Sequence, residues 1–255
     1  MSNSSVPQSI ARIGVDCREE LREQRYALIP AGNLRLSAEL QEAFAEMAAS
    51  WDRLDADPHF GGGDRATRTR RYSDFDYVPA TGELTPRSHV AYLQSEEMNS
   101  FVGGLERHFG DVEPGIVENP LFKALVEFDF DSLPIEEEYR SRKWVCQIHQ
   151  IRIVVNPGKT YEVVPEGIHS DGYPFAGLHL IGRTDIDGGE STVFTWEEEP
   201  LAKATFLDPL DTLIFEDRKM KHHVTPISAP ADRKGQRDVL AISFSLPGSP
   251  YETVV

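Results

Sequence analysis

His169 and Asp171 stand two residues apart in the segment PEGIHSDGYPF. Successive side chains on an extended chain alternate faces, so this pair offers one imidazole and one carboxylate to a single point. A second histidine source follows in FEDRKMKHHVTPI, at His222 or its neighbour His223. Two histidines and one carboxylate make a facial triad, which holds one face of an octahedron and leaves three positions open, as non-haem Fe(II) oxygenases require. Arg237 then opens the apolar run DVLAISFSL, where a permanently charged, planar guanidinium suits a clamp on an anionic oxidant. Ser170 lies between the first two ligands, but it lacks the flanking glycines of a nucleophile elbow, which leaves a hydrolytic Ser/His/Asp reading without support.

The choice between the adjacent histidines follows from strand parity. His222 shares a face with Val224 and His223 shares one with Thr225. The interior of a barrel is the more apolar side, so His222 is the expected ligand and His223 lies behind the site or outside it.

An H-x-D pair is common by chance, and its weight depends on the elements that would carry it. The segment IHQIRIVVNPGKTYEVVPEGIHSDGYPFAGLHLIGR reads as strands rich in Val, Ile and Tyr, broken by the turn signal Asn156-Pro157-Gly158. DTLIFEDRKMKHHVTPIS supplies another strand ending in histidine, and RDVLAISFSL a last one. Short strands at close spacing predict a mainly β fold with flanking helices, its core a jelly roll or closed sandwich of the kind cupins use.

Ahead of this core, SAELQEAFAEMAASWDRL is a predicted helix. Leu40, Phe44, Met47, Trp51 and Leu54 recur at helical spacing as a packing stripe, and Ser37 is a candidate N-cap. DADPHFGGGD ends it. RATRTRRYSDFDYV follows with Arg65, Arg68, Arg70 and Arg71, either a solvated face paired with nearby acids or a cluster that binds an anionic group. SEEMNSFVGGLERHF reads as helical with an interruption at Gly103-Gly104, and EFDFDSLPIEEEYRSR as a connection into the barrel. The expected organisation is one domain over 1–255, with a helical or mixed N-terminal part over 1–140 and the metal-carrying core over 141–255.

A chain of 255 residues, 40% hydrophobic and 27% charged, can bury one substantial core. A net charge of -16 argues against nucleic acid, whose phosphates demand a basic face. Cys17 and Cys146 lie far apart, so neither a disulfide framework nor a cysteine zinc site is implied. MSNSSVPQSIARIGVD has no apolar core of a secretion signal, and no run reaches membrane-spanning length; a cytoplasmic protein with no membrane partner is expected.

The order PEGIHSDG, HLIGRTDIDGGES, DPLDTLIFEDRKMKHHVTPI and RDVLAISF resembles the bacterial 2-oxoglutarate/Fe(II)-dependent dioxygenases, the family that includes free L-isoleucine dioxygenase and related amino-acid hydroxylases. RTRRYSDF and YLQSEEMNSFVGGLERHF resemble its N-terminal half. The resemblance implies a double-stranded β-helix core, Fe(II) as cofactor, 2-oxoglutarate and O2 as co-substrates, and hydroxylation of a small amino acid. It also implies that the ligand is His222, through the pattern D-R, three residues, H, any residue, V-T-P. Arg237 would hold the distal carboxylate of 2-oxoglutarate; the bland reading is a surface arginine beside Asp238, while Arg218, Arg233 and Lys234 sit in polar turn sequence. Related halogenases replace the carboxylate ligand by a small residue, so Asp171 points to hydroxylation.

A free amino acid needs a cation for its carboxylate and an acceptor for its ammonium. Candidates for substrate binding are Arg152, Glu166 and Arg183, with Gln94, Asn99 and Gln150 as neutral partners. Arg152 and Glu166 could equally form a structural ion pair, and Gly188-Gly189 with Glu190 a tight turn, while His149 and His179 read as satisfied core or surface residues rather than ligands. Two other functions stay open at this level: a cupin-like metal protein of another class, which gives Arg237 no task, and a non-catalytic small-molecule sensor on the same barrel.

Overall fold

The computed structural model describes residues 13–254 apart from 63–65, 90, 97 and 100. Arg65 and residues 1–12 of the N-terminal segment therefore lie outside the described residues. In chain order the first strands are β1 (Tyr26–Ile29), β2 (Asp55–Gly62), β3 (Ala66–Val78), β4 (Glu83–Pro86), β5 (Trp144–Val155), β6 (Thr160–Tyr161) and β7 (Phe175–Thr184). They are followed by β8 (Asp187–Gly188), β9 (Glu190–Phe194), β10 (Pro200–Thr205), β11 (Thr212–Phe215), β12 (Lys221–Val224), β13 (Ile227–Ser228) and β14 (Gly235–Ser245). The helices that pack on them are α1 (Arg18–Gln24), α2 (Ala38–Ala49), α3 (Pro114–Val117), α4 (Pro120–Ser132) and α5 (Glu137–Arg140).

An eight-stranded antiparallel sheet runs β1-β11-β7-β14-β5-β3-β2, with β4 pairing β3. Two three-stranded sheets, β10-β9-β12 and β6-β13-β8, accompany it. This is the mainly β architecture expected. The N-terminal part is more strand-rich than its sequence suggested, because β1 and β3 are built into the large sheet beside β11 and β5. No helix among the described residues is long and apolar enough to cross a membrane.

The central strands divide their residues by parity. Ile148, Cys146, Phe75, Tyr77, Leu240, Ile242 and Phe244 face the helices and join the main core. The alternate positions, among them Arg70, His149, Ile151, Arg237 and Val239, line a cavity on the other face. Antiparallel register stacks these into rows: Arg68, Ile153 and Arg237 lie across from one another, and Arg70, Ile151 and Val239 form the next row.

Helix α2 forms where the apolar stripe placed it, with the Ser37 hydroxyl accepting from the Leu40 amide at 3.4 Å. Leu40, Met47 and Trp51 are buried, and Phe44 and Leu54 pack against the core. Two expectations change. The described residues of 95–104 make turns rather than a helix, and Gly103 is closely approached: a Cβ there would meet the Asn99 carbonyl oxygen at 2.3 Å. The stretch read as a connection begins as the end of α4, a core helix capped by Asn119, whose side chain accepts from the Leu121 and Phe122 amides. Phe128, Asp129 and Phe130 of that stretch are buried. The reason is geometric: α4 runs beneath the sheet, and Asp129 reaches His179 at 2.9 Å across Gly177, where a Cβ would stand 2.0 Å from the carboxylate.

Candidate metal centre and co-substrate cavity

Two segments meet to form the centre. The loop before β7 carries His169 and Asp171, and β12 carries His222 with inward parity, His222 and Val224 buried and Lys221 and His223 half-buried. His169 and His222 form a β-bridge, so their side chains emerge side by side with ring centroids 4.3 Å apart. The Nε2 atoms of His169 and His222 lie 3.7 Å and 3.8 Å from the two carboxylate oxygens of Asp171. One donor atom from each of the three falls within 4.8 Å of the others, a spacing at which a single ion can reach all three. His169 Nδ1 stands 2.9 Å from the Gly167 carbonyl oxygen and donates to it, which leaves Nε2 free as a ligand atom.

Asp217, fully buried in a single 3-10 turn, holds the loop that carries the acid. Its carboxylate accepts from the Asp171 amide at 3.1 Å, the Tyr173 amide at 3.0 Å and the Ser170 hydroxyl at 3.2 Å, and lies 3.5 Å from His222 Nδ1. On the other side, Gln94 Nε2 donates to Asp171 at 2.9 Å, and Gln94 Oε1 accepts from Arg107 at 2.6 Å and from Asn99 at 3.2 Å. Burial alone would raise the Asp171 pKa, but His169, His222, the Gln94 hydrogen bond and Arg70 together hold it below the ordinary carboxylate value. Asp171 is thus kept in the form that binds a cation.

The triad opens into a cavity enclosing about 950 Å³ of empty space, mouth included, whose charged lining is Arg68, Arg70, Arg107 and Arg237 against Glu166 and Asp171. Arg237 on β14 is buried, and among the described residues its guanidinium makes no hydrogen bond or ion pair; its Nε has no partner. Burial first, then the like charges of Arg183 and Arg68, push its pKa down to about 10, which still leaves it a cation at neutral pH. A buried cation without a protein anion is costly unless a ligand supplies one.

The substrate-binding candidates separate by position. Glu166 lines the cavity, accepts from Asn99 at 3.3 Å, stands 3.7 Å from His169 Nε2 and keeps Oε2 without a partner. Gln94 and Asn99 line it as well. Arg152 does not: it is gripped by Asp238 through Nε at 2.7 Å and Nη2 at 2.8 Å, and by Asp52 at 2.6 Å, on the opposite sheet face from its neighbours Ile151 and Ile153. Its expected substrate role is corrected to a structural ion pair, with Asp238 rather than Glu166. Arg183 lies across from Arg237 in the register, but its Nη2 donates to the carbonyls of Ile186 and Gly188, beside the cavity rather than in it. Gln150 turns away to Ser50.

His179 is a satisfied core residue, held by Thr212 at 2.8 Å and Asp129. His149, expected to be a core or surface residue, instead lines the cavity. The arginines of β3 also divide by parity: Arg68 and Arg70 point into the cavity, while Arg71 faces Asp55 and Glu113 at 3.5 Å and 3.7 Å. Arg107 and Tyr92 carried no local signal, because each reaches the site from a segment remote in sequence, whereas Asp217 stands at the head of the D-R pattern before His222 but its hold on the Asp171 loop shows only in the fold.

Residues 48–243 match the 2OG-Fe dioxygenase family. The chain is 28% identical over 181 residues to L-isoleucine-4-hydroxylase of Bacillus thuringiensis, which covers 70% of this chain and 75% of that one. Its fold is similar to the crystal structure of IDO from Bacillus thuringiensis, with a TM-score of 0.72 and 22% identity over 89% of this chain and 96% of the other. A bsmA homolog from Methylobium petroleophilum PM1 gives a TM-score of 0.75 and 25% identity over 95% of this chain and 98% of the other.

Proposed function

The chain belongs to the 2OG-Fe dioxygenase family, and from that premise we propose that it hydroxylates a C–H bond of a free amino acid or small amino-acid derivative at the centre built by His169, Asp171 and His222. As a member of that family it is an enzyme that uses Fe(II), 2-oxoglutarate and O2. The residues fit the iron: two imidazoles and a carboxylate present donor atoms within 4.8 Å of one another, the ligand set of a facial triad. Bound Fe(II) supplies the O2 chemistry, in which 2-oxoglutarate is oxidatively decarboxylated to succinate and CO2 while a substrate C–H becomes C–OH.

The remaining steps belong to the protein. Arg237 would hold the distal carboxylate of 2-oxoglutarate; the observation that carries this reading is its buried guanidinium without a protein anion, in the same cavity as the triad. Gln94 and Asp217 fix the rotation of the Asp171 carboxylate and the path of its backbone. Glu166 accepts the substrate ammonium through its unpartnered Oε2. Apolar wall residues such as Ile151, Val239 and Leu178 take the side chain and exclude water.

Similarity to a protein named L-isoleucine-4-hydroxylase supports a free amino acid as substrate. Strands β1 and β3 within the same sheet as β14 support a single dioxygenase domain over 1–255. Cys17 and Cys146, both buried and unpaired, are in keeping with a reducing compartment such as the cytoplasm. The test is succinate formation by Fe(II)-loaded protein with 2-oxoglutarate, O2 and a panel of free L-amino acids. An aliphatic amino acid should raise succinate well above the uncoupled background; no stimulation by any member of the panel would refute the amino-acid assignment.

A further inference from the structure

The cavity holds a second fixed cation. Arg70, on β3, is buried, and its guanidinium lies over the rings of Phe109 and Tyr92 at 4.7 Å and 5.0 Å from their centroids. Its Nε and Nη2 both donate to His149 Nδ1, at 3.2 Å and 2.6 Å. An arginine can only donate, so His149 Nδ1 is an acceptor and the imidazole carries its proton on Nε2. Burial first, then Arg70, Arg107 and Arg68, hold His149 well below the ordinary imidazole range, so this arrangement does not titrate away near neutral pH. His149 is itself held, stacked on Tyr72 at 4.5 Å and edge-on to Tyr92 at 4.7 Å.

The result is a rigid cation with no carboxylate partner among the described residues, although Asp171 and Glu166 line the same cavity. Register separates it from Arg237 by one row along the sheet and two strands across, about 12 Å between Cα atoms from ideal strand spacings. Among the described residues lining the cavity, four guanidiniums face two carboxylates, one of which belongs to the metal triad. With Fe(II) bound these groups sum to +4, and one 2-oxoglutarate dianion cancels only two of those charges.

We infer that Arg70 is the anchor for the substrate's carboxylate, a subsite separate from the Arg237 clamp, and that His149 is the positioning residue that fixes its guanidinium. This rests on the reading of the cavity as a hydroxylase site and adds which residues select the acid. A free α-carboxylate is thereby required, and an amide or ester of the same compound lacks the charge that Arg70 recognises.

The test is calorimetric titration of the anaerobic Fe(II)·2-oxoglutarate protein with L-isoleucine, L-leucine and L-valine, each beside its amide and its des-amino acid. Wild type should bind at least one acid about tenfold or more tightly than its amide. Arg70→Gln should remove that difference while the affinity for 2-oxoglutarate stays within about twofold. His149→Phe should weaken the acid in the same selective way, and His149→Gln, which keeps an acceptor for Arg70, should recover most of the loss. Equal loss of acid and amide in Arg70→Gln, loss of 2-oxoglutarate affinity instead, or failure of every acid to bind wild type would overturn the subsite. Binding of the des-amino acids but not the amino acids, with the Arg70 dependence intact, would uphold the subsite and refute the amino-acid substrate.

Discussion

His169 and His222 exchange both backbone hydrogen bonds, the His169 amide to the His222 carbonyl at 3.1 Å and the His222 amide to the His169 carbonyl at 2.7 Å. Directly opposed residues in an antiparallel pair send their side chains to the same side, so this one bridge aligns two ligands drawn from segments about fifty residues apart. His223 belongs to the other face of β12.

The bridge predicts a sharp difference between neighbours. His222→Ala should lose stoichiometric Fe(II) after anaerobic gel filtration, whereas His223→Ala should retain it, as measured by metal analysis. Iron lost from the second and kept by the first would reverse the ligand assignment.

Asp217 should tune the centre without touching the metal. An asparagine there has one acceptor atom where the carboxylate has two, so the amides of Asp171 and Tyr173 can no longer both be served. Asp217→Asn is expected to weaken Fe(II) binding by about 10- to 100-fold. Direct titration with Fe(II) under anaerobic conditions reads the effect; unchanged affinity would remove Asp217 from the account.

Arg237 should govern 2-oxoglutarate. Truncating one partner of a buried charged pair costs roughly 2–5 kcal/mol, so Arg237→Gln should raise the KM for 2-oxoglutarate by at least about 30-fold. Burial also makes the lone cation expensive, so the variant without ligand should be no less stable than wild type, and 2-oxoglutarate should no longer raise its Tm. Thermal melts with and without 2-oxoglutarate check both parts.

The neutral His149 gives a pH dependence whose sign is fixed. Its folded-state pKa lies below the ordinary 6.5, so above that pH both folded and unfolded states are neutral there and nothing is gained or lost. Below it the unfolded chain takes up a proton that the folded protein refuses, and stability falls by about 1.4 kcal/mol per pH unit from this group. Denaturant melts between roughly pH 6.5 and 5 should therefore be flatter for His149→Phe than for wild type. Parallel curves would contradict a buried neutral imidazole.

What the sequence disclosed depended on period and locality. His169 and Asp171 were legible as an H-x-D pair, although a loop and not a strand carries them, and on β12 the parity of Val224 chose between adjacent histidines. The same parity, applied to β5, separates Arg152 from His149, Ile151 and Ile153, but it needs one residue known to face inward, and the local sequence around His149 does not distinguish a cavity wall from a core or surface position. Arg70 was hidden differently. Its strand alternates arginines with polar residues, which resembles a solvated face until Tyr92 and Phe109 lie over it. Helix α4 was missed because Phe128 and Phe130 alternate with acids, a strand-like pattern, while burial on nearly all sides removes the helical stripe. Gln94, Arg107 and Asp217 act on Asp171 from segments that only the fold brings together.

The central claim is that one iron centre couples decarboxylation of 2-oxoglutarate to hydroxylation of a small amino acid. Single-turnover reaction under heavy-isotope O2, with mass spectrometry of both products, tests it most directly. One labelled oxygen atom should appear in succinate and the other in the hydroxylated amino acid, in equal amounts. Label in succinate alone, with the amino acid recovered unchanged, would contradict the account.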